Sequence, residues 1–173
     1  MMGSAKRGLT ARDLERIHDE HAVAMYRHGL SLLRDENAVR DILQDVLLKL
    51  AEGRGNSSDA DNERAYLLRM VHHAAIDRMR RAKVRQDHAA KAPAEIFERC
   101  ADPDREAFRQ KLEQALNQLP EEQREVVVLK LWEERTFDEI SSICDIPPNT
   151  AASRYRYGID KLRTVLRPVY EEL

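Results

Sequence analysis

The sequence predicts an all-α fold of two small helical bundles joined by a flexible linker, and three observations predict it. Charged residues make up 35% of the chain and aromatics only 5%, which favours amphipathic helices over a sheet of aromatic and β-branched residues. Apolar residues recur at three- and four-residue steps over most of the length. That recurrence lapses at 86–103, a stretch of Ala, Lys, His and Asp with Pro93 and Pro103, and domains of about 100–200 residues leave room here for one large core or two small ones. The lapse places one module at 9–85 and a second at 104–170.

In the first module, Leu14, Ile17, His21, Met25, Leu30 and Leu33 mark one helix, or two in succession broken at Gly29. Asp35-Glu36-Asn37 is a turn with capping residues. Val39, Ile42, Leu43, Val46, Leu47 and Leu50 then define the clearest amphipathic helix, whose other face shows Arg40, Asp41, Gln44, Asp45, Leu48 and Lys49. Residues 53–61 form a loop. A third helix runs from about Asn62 to Arg85, with Leu68, Val71, Ala75 and Met79 on one face and Arg69, His72, His73, Asp77, Arg80 and Arg81 elsewhere. Three helices of this kind bury a shared core.

In the second module, Phe108, Leu112, Ala115, Leu116 and Leu119 form a helix that ends or restarts at Pro120. Pro120-Glu121-Glu122 suits a new helix start, with acids at the positive end of the dipole. Thr136-Phe137-Asp138-Glu139 matches a capping box, and the short helix it opens breaks at Asp145-Ile146-Pro147-Pro148. A longer helix begins near Asn149. On it, Ala151, Tyr155, Gly158, Ile159, Leu162 and Leu166 phase inward, leaving Asn149, Thr150, Ala152, Ser153, Arg156, Tyr157 and Asp160 outward.

A short helix, a tight turn and a longer basic helix are the sequence form of a helix-turn-helix, whose second helix enters the major groove. Charge is distributed accordingly. The formal net charge is −2, yet residues 62–91 carry eight Lys/Arg against three Asp/Glu and 148–167 carry five against one. Two basic patches separated by acidic surface suit contact with a polyanion at two places. A solvated basic face on an ordinary helical hairpin is the plainer alternative.

Cys100 and Cys144 are far apart with no CxxC spacing, so neither a disulfide framework nor a zinc cluster is expected, and a reducing cytoplasmic setting fits. No run approaches the roughly 20 apolar residues of a membrane span, so no membrane insertion is expected. His18 and His21 share a helix face and His72 adjoins His73, but adjacent helical histidines diverge; no metal site and no cofactor are expected. Nucleophile motifs, phosphate loops and dinucleotide fingerprints are lacking, which leaves an enzyme the least supported class.

Leu119-Pro120-Glu121-Glu122-Gln123-Arg124-Glu125-Val126-Val127-Val128-Leu129, Phe137-Asp138-Glu139-Ile140 and Ile146-Pro147-Pro148-Asn149-Thr150-Ala151-Ala152-Ser153-Arg154 together closely resemble region 4 of extracytoplasmic-function sigma factors. Asp41 to Leu50 resembles region 2.2 of that family. Ala65-Tyr66-Leu67-Leu68-Arg69 and Ala75-Ile76-Asp77-Arg78-Met79-Arg80-Arg81 resemble regions 2.3 and 2.4. The likeness runs from about Met25 to Arg163 in the family's order.

The resemblance implies a dissociable subunit of bacterial RNA polymerase that directs initiation at a subset of promoters. Asp41, Gln44, Asp45, Leu48 and Lys49 would dock on core polymerase. Tyr66, Arg69, His72, His73, Asp77, Arg78, Arg80 and Arg81 would meet the minus-10 element, combining a stacking surface with cations for an opened strand. Asn149, Thr150, Ser153, Arg154, Arg156, Tyr157, Lys161 and Arg163 would meet the minus-35 element, with Arg156 as the principal reader of a guanine through two hydrogen bonds to O6 and N7. An anti-sigma factor is the further partner implied. The sequence departs from the family at His73, often asparagine, at Tyr66, where tryptophan is common, at Ala152, often Lys or Arg, and at Tyr157-Gly158, often Arg-Ala. The rival reading is a helix-turn-helix regulator that never joins polymerase, its N-terminal half serving dimerisation or effector binding.

Overall fold

Capping chemistry sets the helix boundaries in the computed structural model, which describes residues 9–53, 62–85 and 95–171, the side chains of 169–171 excepted. Thr10 and Asp13 form a reciprocal capping box that opens α1 (Ala11–Leu33), and the Asp35 carboxylate accepts from the Ala38 amide to open α2 (Glu36–Ala51). The third helix, α3, spans Glu63–Val84. Asp102 caps α4 (Pro103–Gln118), Pro120 precedes α5 (Glu121–Leu131), and the expected Thr136–Glu139 box opens α6 (Phe137–Cys144). The last helix, α7, covers Pro148–Glu171. No strand occurs among the described residues.

Helix α1 is a single rod through Gly29, and the glycine serves close packing. A Cβ there would lie 2.9 Å from Val39 Cγ1, so its absence lets α1 and α2 approach. Gly158 plays the same part between α7 and α5, where a Cβ would lie 2.7 Å from Val127 Cγ2. Asp145 ends α6 in the left-handed conformation (φ 53°), and Ser141 Oγ donates to Ile146 O, so the turn into α7 is held from both sides.

The N-terminal bundle packs α1 against α2 and α3, and the C-terminal bundle packs α7 against α4, α5 and α6. The two are not separate bodies. Helix α1 lies along α5 and α3 along α6, and one buried cluster runs from Ile17, Leu30 and Val71 through Leu116 and Leu119 to Leu162 and Leu166. A second cluster joins Ala24, Ala65 and Leu68 to Leu129, Ile140, Ile143 and Cys144. Residues 86–94 of the expected linker, and 54–61 of the expected loop, lie outside the described residues. The remainder of the linker is pinned: Ile96 is buried, Phe97 packs on Trp132 at 4.7 Å between ring centroids, and the Phe97 amide donates to Glu113.

Candidate nucleic-acid interface

The outer face of α7 is set by its inner face. Ala151, Gly158, Leu162 and Leu166 are buried, as their phasing predicts, and Tyr155 packs edge-on against Phe137. This rotation exposes Asn149, Arg156, Tyr157, Lys161 and Arg163, and half-exposes Thr150, Ser153 and Arg154. The Arg156 guanidinium lies over the Tyr157 ring at 5.3 Å, a cation–π contact that restrains a side chain otherwise free in solvent. Arg163 is 3.8 Å from Asp160. Arg154 departs from the rest, because it faces a cavity shared with His72, His73, Cys144 and Asp145.

On α3, Tyr66 is half-buried against the core. Arg78 pairs with Asp41 at 3.4 Å and Arg80 lies 3.9 Å from Asp77, while Arg81 is exposed. Arg69 and His73 point towards the C-terminal bundle, where Asp145 accepts from Arg69 at 2.8 Å and pairs with His73 Nε2 at 2.5 Å. His73, then Arg69, hold the Asp145 carboxyl below the usual aspartate range. His72 is buried and faces Glu125, so it stands apart from the exposed cations that surround it in sequence. On α2, Asp41, Gln44, Asp45 and Lys49 are exposed beside Leu48, an apolar side chain left 60% accessible.

Between the bundles lies a set of buried ionic contacts that sequence reasoning missed. His28 Nε2 and His72 Nδ1 meet the same Glu125 oxygen, Oε1, at 2.8 and 2.7 Å. Burial alone would push Glu125 up, but the two imidazoles hold it down at about 2. His28 Nδ1 is buried without a partner, which favours the tautomer with its proton on Nε2, donating to Glu125. Glu133, fully buried, takes Arg27 at 2.7 Å and Arg64 on its other oxygen. Arg124 donates to Ser31 O at 2.5 Å and Leu119 O at 3.1 Å, and burial lowers its guanidinium to about 10.

The sequence signal for these contacts was weak. Arg124 and Glu125 read as a continuation of the charged run that opens α5 at Glu121-Glu122, and only their place directly before Val126–Leu129 hints at burial. His18 is exposed and bonded to its neighbour Asp19; the histidines that converge are His28 and His72, 44 positions apart and on different helices. No helix among the described residues is long and apolar enough to cross a membrane.

Comparison with known proteins bears on both bundles. Residues 17–85 match the family described as Sigma-70 region 2, and residues 109–162 match Sigma-70, region 4. The chain is 28% identical over 156 residues to the RNA polymerase sigma factor CarQ of Myxococcus xanthus, covering 88% of each chain. It is 27% identical over 154 residues to the ECF RNA polymerase sigma factor SigL of Mycobacterium tuberculosis, covering 87% of each. Among solved structures, the sigma factor RpoE in complex with the anti-sigma factor NepR from Bartonella quintana shares the fold, with TM-score 0.71 and 21% identity over 91% of this chain and 98% of that one.

Proposed function

The chain belongs to the sigma-70 family as an extracytoplasmic-function RNA polymerase sigma factor, and on that premise we propose how its surfaces divide the work of promoter-specific initiation. Helix α7 enters the major groove of the minus-35 element. Arg156 donates two hydrogen bonds to a guanine, Asn149, Thr150 and Ser153 assist at base edges, and Lys161 and Arg163 hold phosphates and so set register. Tyr157 steadies Arg156, and Arg154 serves phosphates from the side nearer α3.

Helix α3 takes the opened minus-10 strand, with Tyr66 offering ring surface and Arg69, His73, Arg78, Arg80 and Arg81 the cationic groove; His72 and Asp77 flank it. Helix α2 docks on core polymerase through Leu48 ringed by Asp41, Gln44, Asp45 and Lys49, an apolar centre in a polar rim. The protein works as a non-catalytic, cytoplasmic subunit. The bundles divide it into 9–85 and 104–170, joined through 86–103.

The arrangement described above is a closed one. With Asp145 on Arg69 and His73, part of the minus-10 surface faces the helix-turn-helix instead of solvent. Exposed pairs of this kind contribute about 1 kcal/mol or less each, so core polymerase need only supply modest energy at this contact to part them. An anti-sigma factor that grips both bundles would keep them together. The observation carrying the reading is the presence of both family regions, in order, on helices whose exposed faces hold the expected cations.

The full chain mixed with bacterial core enzyme is expected to form a one-to-one complex and to initiate transcripts at promoters selected by that holoenzyme. A chain that does neither, while still binding duplex DNA, is a simple regulator and overturns the reading.

A further inference from the structure

We propose that His28, His72, Glu125 and Cys144 form a binding site for a zinc-class divalent cation at the junction of the two bundles. Four helices supply the donors, His28 from α1, His72 from α3, Glu125 from α5 and Cys144 from α6, and all four residues are buried. The ligating atoms of the first three lie within 4.8 Å of one another. Cys144, His72 and Glu125 together line a cavity of about 630 Å³, which brings the thiol to the edge of this cluster and gives an ion a way in.

For His28, His72 and Glu125 the geometry asks for little movement, and Cys144 would close on the ion from the cavity side. Zinc bonds of about 2.0–2.3 Å in a tetrahedron place ligand atoms about 3.3–3.6 Å apart. The two rings now stand 2.8 and 2.7 Å from Glu125 Oε1, so an ion taking the place of the bridging protons, with the His28 ring proton passing from Nε2 to Nδ1 to keep that imidazole neutral, requires the carboxylate to withdraw by less than about an ångström. Charge agrees as well. Two neutral imidazoles, a carboxylate and a thiolate sum to −2, which a divalent ion cancels inside a buried site. Two nitrogens, a sulfur and an oxygen suit zinc, whereas calcium and magnesium take oxygen throughout. A second grouping of such side chains among the described residues, Glu20, His21 and Glu63, is unsuited because Arg16 already holds both Glu63 oxygens, at 2.9 and 2.8 Å.

Because the donors come from both bundles, the ion clips them together with Arg69 and His73 against Asp145. That consequence for promoter binding rests on the sigma-factor reading; the site itself does not. The test therefore measures metal binding directly. Full chain carrying Cys100→Ser is titrated with zinc chloride against a chromophoric chelator, and with cobalt chloride for its visible spectrum. One equivalent is expected, with tetrahedral cobalt absorption and a thiolate-to-cobalt charge-transfer band that Cys144→Ser removes. His72→Gln, which keeps a donor for Glu125 and so preserves the fold by circular dichroism, should weaken zinc at least about a hundredfold, since losing an outer-shell partner alone costs about 10–100-fold. His21→Asn should leave affinity unchanged. Absence of stoichiometric binding, or binding that persists undiminished in Cys144→Ser or His72→Gln, or that falls in His21→Asn, overturns the proposal.

Discussion

Removing the Glu133 carboxylate should loosen the junction between the bundles without dismantling either one. Its side chain is fully buried and holds Arg27 and Arg64, both from the N-terminal bundle, with side chains 21% and 38% exposed. Breaking a buried ion pair by deleting one partner costs about 3–5 kcal/mol, because the other charge is left unpaired. Here both arginines reach water, Arg64 more readily, so the cost of Glu133→Ala falls to roughly 2–3 kcal/mol. At about 1.4 kcal/mol per decade, the open-to-closed ratio rises roughly 30- to 150-fold. Cys144 reports it, being only 5% exposed and sharing its apolar cluster with Ala24, Ala65 and Leu68 across the junction. In a Cys100→Ser background, the rate at which a thiol reagent labels Cys144 should rise by that factor with the far-UV signal unchanged. Labelling within about twofold of the parent would refute the claim that Glu133 holds the bundles together.

Four further outcomes follow from the same geometry. Arg156→Ala should reduce discrimination between promoter and random duplex by about 1–3 kcal/mol, whereas Arg163→Ala should weaken both alike, which paired titrations across a salt series would separate. Leu48→Asp should abolish capture by core polymerase in a pull-down while leaving the melting temperature in place, since the side chain it replaces already stands in solvent. Gly158→Val should cost about 1–3 kcal/mol in urea unfolding, through the clash with Val127, and Val127→Ala should recover part of that in the double variant. Arg16, then His21, hold the Glu63 carboxyl below the ordinary glutamate value. Its contribution is therefore complete above the unfolded-state value of about 4.3 and is lost as pH falls through the folded-state one; Glu63→Gln should flatten that acid limb of the stability curve.

Periodicity and capping make the helices legible in the sequence, because both are local. Thr136 and Glu139 are three residues apart, and the inward phase of Ala151, Gly158 and Leu162 follows from a fixed 100° step per residue. The same step puts Arg156 and Tyr157 outside. Gly29 is ambiguous because a glycine in a helical pattern reads equally as a break or as a close contact, and only the position of Val39 decides between them. His72 looks like one more polar residue on a basic face, since nothing nearby in sequence says that Glu125, 53 residues later, covers it.

The chain's own residues therefore determined its class, its helices, the two motifs and the outward face of α7, all consequences of interactions spanning four residues or fewer. Tertiary structure alone decided that the bundles share a continuous core, that Asp145 occupies Arg69 and His73, and that two distant histidines meet on one carboxylate. Those contacts depend on how separate helices dock, and docking is settled by the shape and charge of whole surfaces, which a local pattern does not encode.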